Sequence, residues 1–479
     1  MCRRVPPAAC VALFAAAVLN AAGFQDHKPQ VKARVDAFFA ALASGDAEKF
    51  EAMARENFEP AYLARRSADE RKALVARIHA DFGEMTLAGV RAEAGGPAVL
   101  DVRGATGMAG RVELTFEPAA PYRITGVGID VEAGGGRGGR GGGAPGLPPV
   151  PVNASMTSVD LSRALDAYVA NLAAADKFAG VVLVAKDGVP VYEKGWGLAN
   201  RETKASVTPA TRFNLGSINK IFTKTAIASL IAQGKLALGD TIGTLLPDYP
   251  NPQARNATIR QLLEHQAGIA DFFGPDFEKA PKSAFRSNTD YYRFVAPKGL
   301  LFEPGTRTQY CNGCYVVLGA IIERVARMPY ERYIDEHVFK PAGMKTAGFF
   351  QSDRFPANVA LGYTLRAPSS PGKLASNEEM HGRSGSAAGG AFATAQDLLA
   401  FDNALREGRL LDPKMTAWVL ETDQAAPGRS RGGLGVAGGA PGCNAVLEAD
   451  GTWTVAVVGN LDPPTAEQLG TSIARALRR

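Results

Sequence analysis

The chain has 479 residues, more than one hydrophobic core usually holds, so two domains are expected. Its net charge is +5 with 21% charged residues, a mildly basic balance too weak to argue for a nucleic-acid partner. No apolar stretch in the body of the sequence is long enough to span a bilayer.

In chain order, Arg3 and Arg4 precede an apolar stretch from Ala8 to Val18, and the small residues Ala21, Ala22 and Gly23 follow. That order reads as a secretory signal peptide over 1–23, cleaved near residue 23, and it predicts a periplasmic or secreted protein. Arg3-Arg4 is a weak twin-arginine match because Pro6 and Pro7 replace the apolar pair expected there. Cys10 lies ahead of most of the apolar run and does not read as a lipid-attachment cysteine. Membrane association is expected only if the signal segment stays uncleaved.

Residues 26–132 read as a separate unit. Val31, Val35, Phe38, Phe39 and Leu42 give one helical stripe, and Ala73 to Phe82 gives another. Four strand-like runs follow, around Leu87–Ala92, Val99–Arg103, Val112–Phe116 and Ile124–Ile129. Helices followed by a meander indicate an α+β fold. With Ala43-Ser44-Gly45-Asp46 at the helix-joining turn, the pattern is similar to the nuclear-transport-factor-like cone fold. No polar constellation points to a ligand there, so a structural or substrate-presenting accessory is expected. A linker over 133–153 follows, with Arg137-Gly138-Gly139-Arg140-Gly141-Gly142-Gly143 and Pro148-Pro149. Such a stretch cannot bury apolar area, so it reads as a flexible tether stiffened by proline. Arg-Gly-Gly runs also occur in RNA-binding tails, but two arginines in an exported chain are a poor basis for that role.

The remainder, 154–479, carries the chemistry. Val181–Lys186, Asp187-Gly188 and Val189–Trp196 read as a hairpin. After Ser217 the apolar residues Ile218, Ile221, Phe222, Ile227, Leu230 and Ile231 recur with helical period, and Gly234 is a plausible stop. Ser217 therefore falls in a first helical turn, with Lys220 three residues on along the same face. A serine hydroxyl is a poor nucleophile alone and needs a base beside it, and a lysine amine can share its proton. The unpaired N–H groups of a first turn also favour the negative charge of an oxyanion. Ser370-Pro371-Gly372-Lys373 has the same spacing, but Pro and Gly put it in a loop. Tyr310-Cys311-Asn312 opens a second helix through Val316, Val317, Leu318, Ile321, Ile322 and Val325. Tyr249-Pro250-Asn251 leads into no such run. A serine, an amine and a phenol together point to acyl transfer through a serine ester. Downstream, Ala445–Glu448, Asp450-Gly451 and Thr454–Val458 form another hairpin, and Thr465–Leu477 a closing helix. The hairpins are expected to join in one antiparallel sheet beside a helical lobe.

These motifs resemble the penicillin-recognising serine hydrolases, the group of class C β-lactamases, D-Ala-D-Ala carboxypeptidases and related esterases. The resemblance rests on Phe213 to Asp240, on Leu262-Leu263-Glu264-His265-Gln266-Ala267-Gly268, on Pro304-Gly305-Thr306 through Tyr310 and Asn312 to Glu323, and on Pro341-Ala342-Gly343-Met344. It covers most of the chain from about Asp160 onward, and it implies a β-lactamase/transpeptidase-like fold: an antiparallel sheet flanked by helices plus a helical lobe. It further implies that Ser217 is the acylated nucleophile, that Lys220 and Tyr310 relay the proton with Tyr310 as carrier, and that Asn312 steadies Lys220 and contacts substrate.

The family's third motif, Lys-Thr-Gly or His-x-Gly on an edge strand, is altered. The matching stretch is Gly435-Val436-Ala437-Gly438-Gly439-Ala440-Pro441-Gly442, with Val436 where the cation is expected. By the resemblance Gly438 and Gly439 bind substrate, and the N–H groups of Ser217 and Gly439 form the oxyanion hole. An oxyanion donor contributes about 3–4 kcal/mol, so the retained backbone outweighs the lost charge for acylation. The expectation is an exported serine hydrolase acting by an acyl-enzyme on a small ester, amide or peptide, with weakened recognition of substrate carboxylates. Arg429 and Arg431 stand as candidate replacement cations, although surface solvation accounts for them as well. The alternatives are a non-catalytic protein that binds β-lactams or peptidoglycan fragments on the same fold, and a chain whose first domain carries the function.

With Cys2 and Cys10 lost in the signal, Cys311, Cys314 and Cys443 remain. A disulfide is permitted in an exported protein, but the simpler reading is that Cys311 and Cys314 stand in for the small residues tolerated in the tyrosine motif. A thioredoxin-like redox role is not expected, because Asn312 and Gly313 belong to that motif. His27, His79, His265, His337 and His381 show no ligand spacing, so neither metal nor cofactor is expected. His265 is expected to be a structural residue that turns a loop under the site.

Overall fold

A computed structural model of the chain describes residues 29–63, 67–92, 97–105, 109–132, 147–370, 372–421 and 433–478. The signal-like segment, most of the linker, His27, Arg429 and Arg431 lie outside these residues. Contacts divide the chain into two compact units, one of the residues before the linker and one from Leu147 onward.

The first unit begins with helices α1 (Pro29–Ala43), α2 (Ala47–Asn57) and α3 (Ala68–Phe82). Asp46 starts α2 by accepting the N–H groups of Glu48 and Lys49, two of the donors a helix leaves unpaired. Strands β1 (Met85–Ala92), β2 (Ala98–Gly104), β3 (Ala109–Phe116) and β4 (Ile124–Glu132) then form an antiparallel meander in chain order. Ala98, Leu100 and Val102 alternate inward on β2, as a sheet with one covered face requires. They share a core with Phe38, Phe50 and Phe58, whose rings lie 5.6–6.4 Å apart. Glu51, the acid buried among these helices, is bound by Arg71 and Arg55, and the Arg71 hydrogen bonds hold its carboxyl down at about 2.

The second unit is built on helix α4 (Ser158–Ala174), strands β5 (Gly180–Lys186) and β6 (Val189–Trp196), helices α5 (Asn219–Ala232), α6 (Asn312–Ala326), α7 (Ala395–Arg406) and α8 (Pro413–Glu421), strands β7 (Leu434–Ala440), β8 (Cys443–Ala449) and β9 (Trp453–Gly459), and helix α9 (Thr465–Leu477). The strands form one antiparallel sheet in the order β7-β8-β9-β5-β6. Helices cover both faces. Val182, Val184, Val455 and Val457 pack against Leu161, Leu165, Leu469 and Ile473 of α4 and α9. Val181, Leu183, Leu447 and Val458 face the helical lobe. This double burial explains why β5 is an unbroken apolar run and not an alternating one. At the centre of the lobe, α5 is buried on nearly every side, and its Phe222 meets Phe339 and Phe401 edge-on at 5.1 and 4.9 Å.

One local expectation changes. Ser217 does not lie inside an α-helix: Gly216–Ile218 form a 3-10 turn that runs directly into α5. Gly216 has φ 51°, a left-handed conformation suited to glycine, and its N–H is held by Asn214 Oδ1 at 2.9 Å.

Candidate active site

Three chain segments meet at Ser217. Its Oγ accepts hydrogen bonds from Tyr310 Oη at 2.7 Å and from Lys220 Nζ at 3.1 Å. Lys220 Nζ also donates to Asn312 Oδ1 at 2.8 Å and to the Ala388 carbonyl at 2.6 Å, so with Ser217 Oγ it has three hydrogen-bond partners. Lys220 is buried, and its Nζ lies 4.8 Å from the centre of the Tyr310 ring. The hydroxyl, amine, phenol and amide named from the sequence thus form one connected network.

That network has supports which the sequence motifs did not name. Asn312 is the first residue of α6, and Asp271 Oδ2 accepts from its Nδ2 at 2.8 Å and from its backbone N–H at 3.4 Å. The amide is thereby oriented with Oδ1 toward Lys220. The other Asp271 oxygen accepts the Phe273 N–H at 3.0 Å. A single loop aspartate carries no motif, which is why sequence spacing could not single it out.

His265 does more than turn a loop. Its φ of 59° makes the turn, its Nδ1 accepts the Cys311 N–H at 3.1 Å, and its ring lies 4.8 Å from that of Tyr310. Burial, aided by the Lys220 charge, lowers its imidazole to about 4, which keeps the ring neutral and Nδ1 available as an acceptor.

The reading of Cys311 and Cys314 as stand-ins for small residues is overturned, because they are joined in a disulfide. Cys311 caps α6, its Sγ accepting the Cys314 N–H at 2.9 Å. The bridge therefore ties the residue between Tyr310 and Asn312 to the first turn of the helix. Cys443 is a buried free thiol on β8, pushed up to about 12 by its burial and bonded to the Asn214 carbonyl at 3.0 Å.

Strand β7 closes the other side. A Cβ on Gly438 would stand 2.0 Å from the Leu215 carbonyl oxygen and 2.8 Å from Ser217 N, so only glycine permits this approach of strand to turn. A Cβ on Gly216 would stand 3.0 Å from Gly439 N, which brings the Gly439 backbone close beside the serine turn. Gly439 lines the cleft with Ser217 and Asn312, whereas Gly438 presses on the Leu215–Ser217 turn and is absent from the lining. Val436 is half-buried against the apolar core. The decoys stay apart from this network: Tyr249 is fully buried, and Ser370 and Lys373 meet in a backbone turn.

The cleft has a cavity volume of about 120 Å³. Phe272, Phe273, Phe277, Phe350, Phe355 and Phe392 line it, and Glu378 and Arg383 bring opposite charges to the lining. Arg383 donates through Nη1 to Ser352 Oγ at 3.2 Å. Among the described residues, no group of three or more His, Cys, Asp or Glu could hold a metal ion.

The family model described as Beta-lactamase matches residues 165–477, which span the sheet and the helical lobe. The chain belongs to the Beta-lactamase family. Within that family it is 32% identical over 238 residues to the "Putative penicillin-binding protein PbpX" of Bacillus subtilis (strain 168), covering 50% of this chain and 57% of that protein's length. A penicillin binding protein from Bacillus halodurans superposes with a TM-score of 0.57 at 27% identity, over 64% of this chain and 99% of that one. EstCE1, "a hydrolase with promiscuous acyltransferase activity", shares the Beta-lactamase fold with a TM-score of 0.54 at 23% identity, over 66% of this chain and 100% of its own.

Proposed function

We propose that this chain is an exported serine hydrolase that acts through an acyl-enzyme on small esters or amides. The observation that carries this reading is the pair of hydrogen bonds from Tyr310 and Lys220 to the Ser217 oxygen, at 2.7 and 3.1 Å. With the Lys220–Tyr310 pair one proton short, the hydroxyl proton passes to the pair as Oγ bonds to the substrate carbonyl carbon. The carbonyl oxygen takes up negative charge facing the N–H groups of Ser217 and Gly439, where each such donor contributes about 3–4 kcal/mol. Collapse breaks the bond to the leaving group, which departs with the proton from Tyr310. Water then adds to the acyl carbon as one of its protons passes to the pair, and collapse breaks the bond to Ser217 Oγ, which takes that proton back from the pair. The products are a carboxylic acid and an alcohol or amine. Asn312 holds Lys220 through this cycle and contacts substrate beside Gly439, while Gly438 allows the strand to reach the turn.

Recognition of substrate carboxylates is weakened in this reading, because Val436 carries no charge and the charges of Glu378 and Arg383 oppose one another. Export is supported by the signal-like order of residues 1–23. Among the described residues no helix is long and apolar enough to cross a membrane. The first unit, with its helices and meander, serves as an accessory to the hydrolase. Purified protein treated with a fluorophosphonate probe should carry the label on Ser217, and it should turn over p-nitrophenyl esters faster than nitrocefin or a D-Ala-D-Ala peptide. An unlabelled Ser217 would instead favour the second reading that Val436 supports, a non-catalytic binder of β-lactams or peptidoglycan fragments.

A further inference from the structure

We infer that the acyl part of the substrate carries an aromatic ring held between two phenylalanine walls, and that the leaving group lies outside them on the Tyr310 side. The inference rests on the acyl-enzyme reading and specifies its substrate. One wall is Phe272, Phe273 and Phe277, with Phe272 lying 4.3 and 5.5 Å from the other two rings. The other is Phe350, Phe355 and Phe392, with Phe392 lying 5.9 and 5.1 Å from its neighbours. All six line the cleft that contains Ser217. Phe272, Phe277 and Phe392 are buried and fix the walls, whereas Phe273 is 44% exposed, a large apolar ring left open to the cleft mouth. The cavity of about 120 Å³ is close in size to an apolar cavity of about 150 Å³ that accepts benzene. A flat ring between two aromatic walls gains offset or edge-on contacts beyond its simple burial.

The position of Tyr310 decides which half of the substrate enters. Its hydroxyl is bonded to Ser217 Oγ and the residue is 43% exposed, whereas Asn312, half-buried, lines the cleft. A leaving group must come within hydrogen-bond reach of the phenol that protonates it. It therefore sits at the open side, and the acyl group is what remains for the aromatic cleft. Selectivity then falls on the acyl half.

The test uses the full chain with p-nitrophenyl acetate, butyrate and phenylacetate, which share one leaving group. Each kcat/KM is normalised to the ester's hydroxide-catalysed rate. Phenylacetate should exceed acetate about tenfold or more, in line with what one added apolar group is worth in a fitted pocket. Phe273→Ala and Phe355→Ala, both at partly exposed positions, should each cut that ratio about threefold or more. Labelling of Ser217 with acetate or butyrate turned over as fast as phenylacetate would overturn this inference and leave the acyl-enzyme reading standing. A ratio unchanged in both variants would overturn it as well. No label on Ser217 and no ester turnover would overturn both.

Discussion

Replacing Asp271 by alanine removes the acceptor that orients Asn312. The carboxylate makes one short contact with the Asn312 amide, 2.8 Å, and one marginal contact with its backbone N–H, 3.4 Å. A hydrogen bond to a charged group is worth about 1.5–3 kcal/mol, and about 1.4 kcal/mol is a factor of ten in rate. Without Asp271 the amide is free to flip, which would turn its Nδ2 donor toward Lys220 Nζ in place of Oδ1, now 2.8 Å away. Asp271→Ala should therefore lower kcat for a p-nitrophenyl ester about 10- to 100-fold, with a smaller change in KM. Asp271→Asn can still accept through its own amide oxygen and should recover most of the loss. The decisive measurement is a double-mutant cycle with Asn312→Ala, alongside urea unfolding of each variant. If Asp271 acts through Asn312, its removal adds little once Asn312 is gone. Fully additive losses would refute the reasoning and assign Asp271 to the loop alone, through the Phe273 N–H.

Val436→His should raise nitrocefin turnover relative to ester turnover in a paired assay, and no change in that ratio would count against the alignment of β7 with the family's cationic motif. Gly438→Ala should depress kcat about 100-fold, the scale of losing an oxyanion donor, and lower the urea unfolding midpoint, since its Cβ would stand 2.0 Å from the Leu215 carbonyl oxygen; an unchanged kcat in a stopped assay would contradict this. Lys224, one turn beyond Lys220, donates to the Val419 carbonyl at 3.4 Å and lies 5.1 Å from the centre of the Trp418 ring, and burial lowers its amine to about 7. Between that value and its ordinary 10.5 the unfolded chain binds a proton the folded chain lacks, so its contribution to stability rises with pH by up to about 1.4 kcal/mol per unit. Lys224→Met should abolish this rise, and urea midpoints of both proteins at pH 7 and 9 that keep a constant gap would contradict it.

What could be read from the sequence was what lies close along it. Ser217 and Lys220 are three residues apart, and their contact follows from helical spacing. Hairpins around Asp187-Gly188 and Asp450-Gly451 were readable because Asp-Gly supplies the turn, and β5, β6, β8 and β9 formed where the flanking apolar runs lie. The approach of Tyr310 to Ser217 spans 93 residues, beyond any spacing rule; helical patterns marked the two helix starts, and the family resemblance gave the pair its shared role. Asp271 was invisible because one loop carboxylate has no period. The aromatic walls unite Phe272 and Phe273 with Phe350 and Phe355, segments no spacing rule connects. Cys311 and Cys314 were read as stand-ins for small residues because their spacing alone does not fix a pairing, and only their positions in space identified the disulfide. The 3-10 turn at Ser217 likewise depended on the left-handed Gly216, a dihedral that side-chain periodicity does not encode.

Strand β7 is the outermost strand of its sheet, and a glycine-rich margin of that kind ordinarily invites another chain to pair with it. Here the Leu215–Ser217 turn packs against one face of that strand, so close that Gly438 has no room for a side chain. The loop that presents the reactive hydroxyl is therefore braced by the strand itself, and changes that push the two apart should cost turnover.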